Sequence, residues 1–90
     1  MKPIPIEVGR IVVSKAGRDQ GRRFVVLEEI DRDFVLVADG KLRTMERPKK
    51  KRRKHLKPTL EFAGDAARRL QNGEKIPDHE LRAWTSKEEG

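Results

Sequence analysis

Apolar residues in the first half of the chain come in short unbroken runs: Ile11-Val12-Val13, Phe24-Val25-Val26-Leu27 and Phe34-Val35-Leu36-Val37. Each run is rich in β-branched or aromatic residues and bounded by glycine, aspartate or charged clusters, which predicts three strands. The gaps are too short for intervening helices. Asp39-Gly40 follows the third run, and an Asp-Gly pair favours a two-residue type I′ turn, which needs positive φ at both central positions. A tight hairpin into a fourth strand at Lys41–Met45 is therefore expected. His55-Leu56-Lys57, just before Pro58, supplies a short fifth strand. Consecutive antiparallel strands in so small a chain must curl to hide their edges, so the fold class expected is mostly β, a small barrel of about five strands.

After Pro58 the period changes. Leu60, Ala63, Ala67 and Leu70 recur at spacings of three and four, with Thr59 as N-cap and Asn72-Gly73 as the stop. The stripe is narrow, half alanine, and interrupted by Gly64, which costs about 1 kcal/mol relative to alanine. Such a helix needs the barrel to pack against. A second helical turn is expected from Asp78, with Leu81 and Trp84 on one side, and residues 85–90 read as a polar, frayed end. The organisation expected is a barrel over residues 6–58 and a C-terminal extension over 59–90.

Charge changes this picture more than length does. Of 90 residues, 22 are Lys or Arg and 15 Asp or Glu, a net charge of +7. Eight of the basic residues fall between Arg47 and Thr59, where no acidic residue occurs: Arg47, Lys49, Lys50, Lys51, Arg52, Arg53, Lys54 and Lys57. The rest of the chain holds 14 basic and 15 acidic residues and is close to neutral. A localised block on a neutral scaffold reads as an attachment point for phosphates. Pro48 and Pro58 bracket it and disfavour helix on the preceding residues, so the block is expected as an exposed connection between strands four and five.

A second basic cluster lies earlier. The stretch Ser14-Lys15-Ala16-Gly17-Arg18-Asp19-Gln20-Gly21-Arg22-Arg23 joins the first two strands. Gly17 and Gly21 allow the chain to bend closely, and Lys15, Arg18, Arg22 and Arg23 outweigh Asp19. Such a loop can offer both side chains and backbone N–H groups to a phosphate.

Gly9, the strand that follows it, this loop with Gly17 and Gly21, and the valine-rich second strand together resemble a KOW motif. The resemblance extends through Val35-Leu36-Val37-Ala38-Asp39-Gly40 and the basic run ending His55-Leu56-Lys57-Pro58, about residues 6–59. The chain is similar to small bacterial KOW-domain RNA-binding proteins related to archaeal and eukaryotic large-subunit ribosomal proteins. The resemblance implies an SH3-like barrel without catalytic activity that binds RNA, commonly ribosomal RNA. It implies RNA contacts at Lys15, Arg18, Arg22 and Arg23 in the loop and at Arg47, Lys49 through Lys54, His55 and Lys57 in the run. Phe24 departs from the motif, where a small or basic residue is common.

Four aromatic residues, Phe24, Phe34, Phe62 and Trp84, leave little for stacking on single strands, three of them standing where a core would use them. Phosphate and shape recognition of folded RNA is the expected mode. Ribosomal proteins are possible further partners under the same resemblance. Neither a membrane, a small-molecule substrate nor a cofactor is expected, and the free chain should be a monomer in the cytoplasm. Absence of cysteine excludes disulfides and thiolate chemistry. His55 and His79 lack ligand spacing, and Asp31 with Asp33 and Glu28 with Glu29 read as turn and surface charge. The competing function class is a protein-interaction KOW module, as in transcription factors, gripping a polymerase or ribosomal protein through the extension. Nonspecific DNA or membrane attachment lacks a lipidation motif or strong amphipathic helix to support it.

Overall fold

A computed structural model describes residues 3–86. The five strands are β1 (Arg10–Ser14), β2 (Arg23–Glu29), β3 (Phe34–Ala38), β4 (Lys49–Arg52) and β5 (Leu56–Phe62), with one 3-10 turn at Arg53–His55 between the last two. Helices α1 (Gly64–Gln71) and α2 (Asp78–Thr85) follow. All strand pairs are antiparallel in the order β4-β3-β2-β1-β5, an SH3-like arrangement as expected.

The unbroken apolar runs are explained by burial on both faces of the sheet. Val12, Phe24, Val26, Val35, Val37 and Leu56 fill the interior of the curled sheet. Their neighbours Ile11, Val25, Leu27 and Ala38 point the other way and meet Ala63, Ala66, Ile76 and Leu81 beneath the helices. The C-terminal helices thus close a second core, with Trp84 and Leu70 packed at its border. Asn72 and Gly73 end α1 as the sequence predicts, Gly73 carrying a φ of 82°. The expectation for residues 87–90 lies outside the described residues.

Three expectations are corrected. Lys41–Met45 forms no strand, and Asp39-Gly40 is no type I′ turn, because Asp39 has negative φ. Instead the buried Asp39 carboxylate accepts the backbone N–H groups of Lys41 and Arg43, both at 2.9 Å, which gathers residues 39–43 into an irregular loop. Secondly, the basic block is no exposed connection: Lys49–Arg52 is itself the fourth strand, paired with Phe34–Val37. Thirdly, the chain does not turn helical after Pro58. It continues as β5 through Phe62 on the sheet edge, where a proline's missing N–H is tolerated, and Thr59 caps no helix but donates its hydroxyl to the Ile11 carbonyl at 2.7 Å.

Candidate nucleic-acid interface

A strand made of Lys49-Lys50-Lys51-Arg52 alternates faces like any other, and that alternation divides its charges into two kinds. Lys51 stands opposite Val35 and Lys49 opposite Val37, both buried valines. Lys51 is buried and Lys49 half-buried, while their ammonium groups reach a polar partner. That partner is Asp19, from the β1–β2 loop, whose side chain is 7% exposed. The Lys49 Nζ lies 3.0 Å from its Oδ2, the Lys51 Nζ 3.7 Å and the Arg43 guanidinium 3.9 Å. Lys51 also donates to the buried Ser14 hydroxyl at 2.9 Å, which in turn donates to the Ala16 carbonyl at 3.0 Å.

Burial pushes the Asp19 carboxyl up, but the hydrogen bond from Lys49 and the charges of Lys49, Lys51 and Arg43 outweigh it, leaving the group below the usual carboxylate range. Burial lowers the Lys51 ammonium, partly offset by Asp19. The Asp19 carboxylate is ionised at neutral pH. Lys49 and Lys51 are consequently bound into the fold and tie β4 to the β1–β2 loop.

Lys50 and Arg52 point outward, opposite Leu36 and Phe34. Both are exposed. The Lys50 Nζ lies 4.5 Å and the Arg52 guanidinium carbon 5.0 Å from the centre of the Phe34 ring. An open groove of about 340 Å³ runs here, lined by Ala16, Gly17, Phe34, Lys49, Lys50, Lys51, Arg52 and His55. It brings the β1–β2 loop and the basic strand together, the Lys15 N–H donating to the His55 carbonyl at 2.7 Å. Exposed Lys15, Arg18 and Lys54 flank the lining residues in sequence.

The other expected residues go elsewhere. Arg53 is committed inward, its guanidinium donating to the Ile6 carbonyl at 2.8 Å and to Glu29 at 3.0 Å. Arg22 pairs with Asp39 at 3.3 Å and Arg23 with Glu61 at 2.9 Å, beside a small hollow that also takes in Lys41 and Arg82. Lys57 lines a separate hollow with Ile4, Val13 and Leu60. Arg47 is exposed in the loop before β4. Of the motif glycines, Gly17 and Gly21 shape the basic loop with φ of 77° and 86°, whereas Gly9 is buried against Ala63 and Ala67.

Sequence reasoning missed Asp19 as the organising carboxylate and Phe34 as part of the groove. Alternation within 49–52 could have found the first. Phe34 was readable as the end residue of its strand, beyond the buried stretch. Among the aromatics only Phe24 is fully buried; Phe62 is 44% exposed under Arg10 and Trp84 half-buried. Asp31 serves turn chemistry as expected: the backbone N–H groups of Asp33 and Phe34 donate to it, each at 2.8 Å, and these bonds hold it below the usual carboxylate range. No group of three or more metal-ligating side chains occurs among the described residues, nor any helix long and apolar enough to cross a membrane.

Comparison with known proteins bears out the resemblance to large-subunit ribosomal proteins. Over 54 residues, 60% of this chain, 46% are identical to the large ribosomal subunit protein eL14 of Desulfurococcus amylolyticus, covering 56% of that protein. The eL14 of Staphylothermus marinus is 42% identical over 53 residues, 59% of this chain and 55% of that protein. That of Metallosphaera sedula is 41% identical over 54 residues, with 60% and 56% covered. The chain spans about half the length of the curated relatives it matches. No family model matches it.

Proposed function

We propose that the chain is a non-catalytic RNA-binding protein that attaches to structured ribosomal RNA through phosphate contacts, as a ribosome-associated or assembly factor. The observation that carries this reading is the groove itself. Lys50 and Arg52 on β4 and the basic β1–β2 loop converge on one concavity, and neither side chain of that pair is ion-paired among the described residues. Exposed cations without a carboxylate at ion-pair distance are what an electrostatic contact to phosphates requires. The relatives named large ribosomal subunit proteins favour ribosomal RNA over other polyanions. A protein contact through the extension has less in its favour, because Ala66, Ile76 and Leu81 are spent on the intramolecular core.

If Lys15, Arg18, Lys50, Arg52 and Lys54 each neutralise one phosphate, log K for a ribosomal RNA fragment falls with log salt at a slope of about −3.5 to −4.5. A slope near zero would sink the proposal. Alternation sharpens the test. Changing Lys50 and Arg52 together to Ser should flatten the slope by about 1.4 to 1.8 while stability falls by about 1 to 2 kcal/mol, the worth of the two exposed ring contacts. Changing Lys49 and Lys51 together should do the reverse, lowering the melting temperature and leaving the slope of the folded protein intact. Equal effects of the two pairs on the slope would show that the inward lysines also reach RNA.

A further inference from the structure

We propose that the groove at Phe34 receives one unpaired nucleobase of a structured RNA, stacked on the phenyl ring. This deepens the RNA-binding reading above and rests on it. Phe34 belongs to neither buried core. It stands at the start of β3, opposite Arg52, half-buried, with the flexible ends of Lys50 and Arg52 over its ring. A large aromatic left among cations at a concave, open site is not needed for phosphate contact, which the cations alone supply. It is suited to a flat partner with a π-face.

Space and charge agree with that occupant. The groove holds about 340 Å³, room for one base with part of its ribose. Ala16 and Gly17 also line it, and among the described residues no atom outside the adjoining ones comes within 4 Å of where a side chain on Gly17 would begin. Lys50 and Arg52 meet the ring by cation–π contact and form no ion pair among the described residues, so they can swing to the phosphates on either side of an inserted base, exchanging one favourable contact for another. Bases inside a duplex cannot reach such a ring, whereas bulged or looped-out bases can. The target is thus an RNA with a base outside its helix, read by one stacking contact inside a phosphate-binding surface.

The test uses the full chain with two RNAs, a blunt hairpin and the same hairpin carrying a single bulged 2-aminopurine. The bulged RNA should bind about 5- to 150-fold more tightly, the range for one stacked base, and its fluorescence should fall on binding. Phe34→Leu keeps an apolar side chain on the strand but no ring, and should bring the two affinities together. Phe34→Tyr restores a ring and should restore the preference. Wild-type protein that binds both RNAs equally, or a Phe34→Leu variant that keeps the wild-type preference and quenching, overturns the stacking site while leaving RNA binding intact. Failure to bind either RNA at low salt would instead remove the RNA-binding reading on which it rests.

Discussion

Asp19→Asn is expected to cost the fold about 3 kcal/mol, a fall of roughly 12 to 24 °C in melting temperature for a domain of this size. The carboxylate is the shared counter-ion of Lys49, Lys51 and Arg43, and Lys51 has only 9% of its side chain exposed. Removing one member of a buried pair leaves a desolvated charge, which usually costs about 3 to 5 kcal/mol. The lower end applies because Lys49 and Arg43, each about a third exposed, can turn to water. Adding Lys51→Met to the first change should recover more than half of the loss, since the stranded ammonium is then replaced by an apolar stem. Urea unfolding of the three proteins gives the comparison. A loss below about 1 kcal/mol would reduce the Asp19 cluster to an ordinary surface ion pair.

The same group sets an acid limit. Its folded pKa lies below its unfolded value, so the unfolded chain takes up the proton first as pH falls. The stability it supplies is complete above the unfolded value near 3.9 and is lost as pH drops through the folded one. Wild type and Asp19→Asn should therefore differ most at neutral pH and converge in acid. Parallel stability curves down to acid pH would show that the carboxylate is not the source of the difference.

What the sequence made legible follows from where apolar periodicity survives. β1, β2 and β3 stood out because burial on both faces left no polar position to interrupt Ile11–Val13 or Phe24–Leu27. β4 was invisible for the opposite reason. Its inward positions are filled by Lys49 and Lys51, whose charge is settled by a carboxylate thirty or more residues earlier, so a strand reads as a solvated run. Basic residues on a sheet edge also discourage pairing with another chain, which gives the composition of β4 a second physical reason. Pro58 misplaced the start of α1 because a proline between Lys57 and Thr59 looks like a helix boundary, whereas an edge strand accommodates it. Of the site, the two basic segments were legible one by one. Their division into structural and free cations depended on the long-range Asp19 contact and on the register of β4 against β3, neither of which local spacing records.

Gly40 shows the same limit from the side of the extension, and Gly40→Ala is the second substitution expected to act strongly. Its φ is 78°, and a Cβ there would lie 2.2 Å from the Asp78 carbonyl oxygen, 3.0 Å from the Arg82 nitrogen and 3.0 Å from the Leu81 Cβ. Two of these are backbone atoms of α2 and cannot swing aside. The helix is held in that place by the Arg82 guanidinium on the Gly40 carbonyl at 2.7 Å, the Thr85 hydroxyl on the Asp39 carbonyl at 3.0 Å, and the Asp78 carboxylate accepting the Met45 N–H at 2.8 Å. Alanine must therefore push α2 off the loop and draw Leu81 from the second core. Gly17→Ala is the matched control, with a φ of 77° and open space around it, so it should cost only the left-handed backbone, about 1 to 2 kcal/mol. Gly40→Ala should exceed it by at least about 2 kcal/mol, the scale of overpacking in a closed core, with amide exchange quickening throughout α2. Equal costs for the two alanines would mean that α2 does not sit on Gly40. Because the groove lies on β3, β4 and the β1–β2 loop, Gly40→Ala protein that remains folded should keep the wild-type salt slope, separating the helices' packing role from RNA contact.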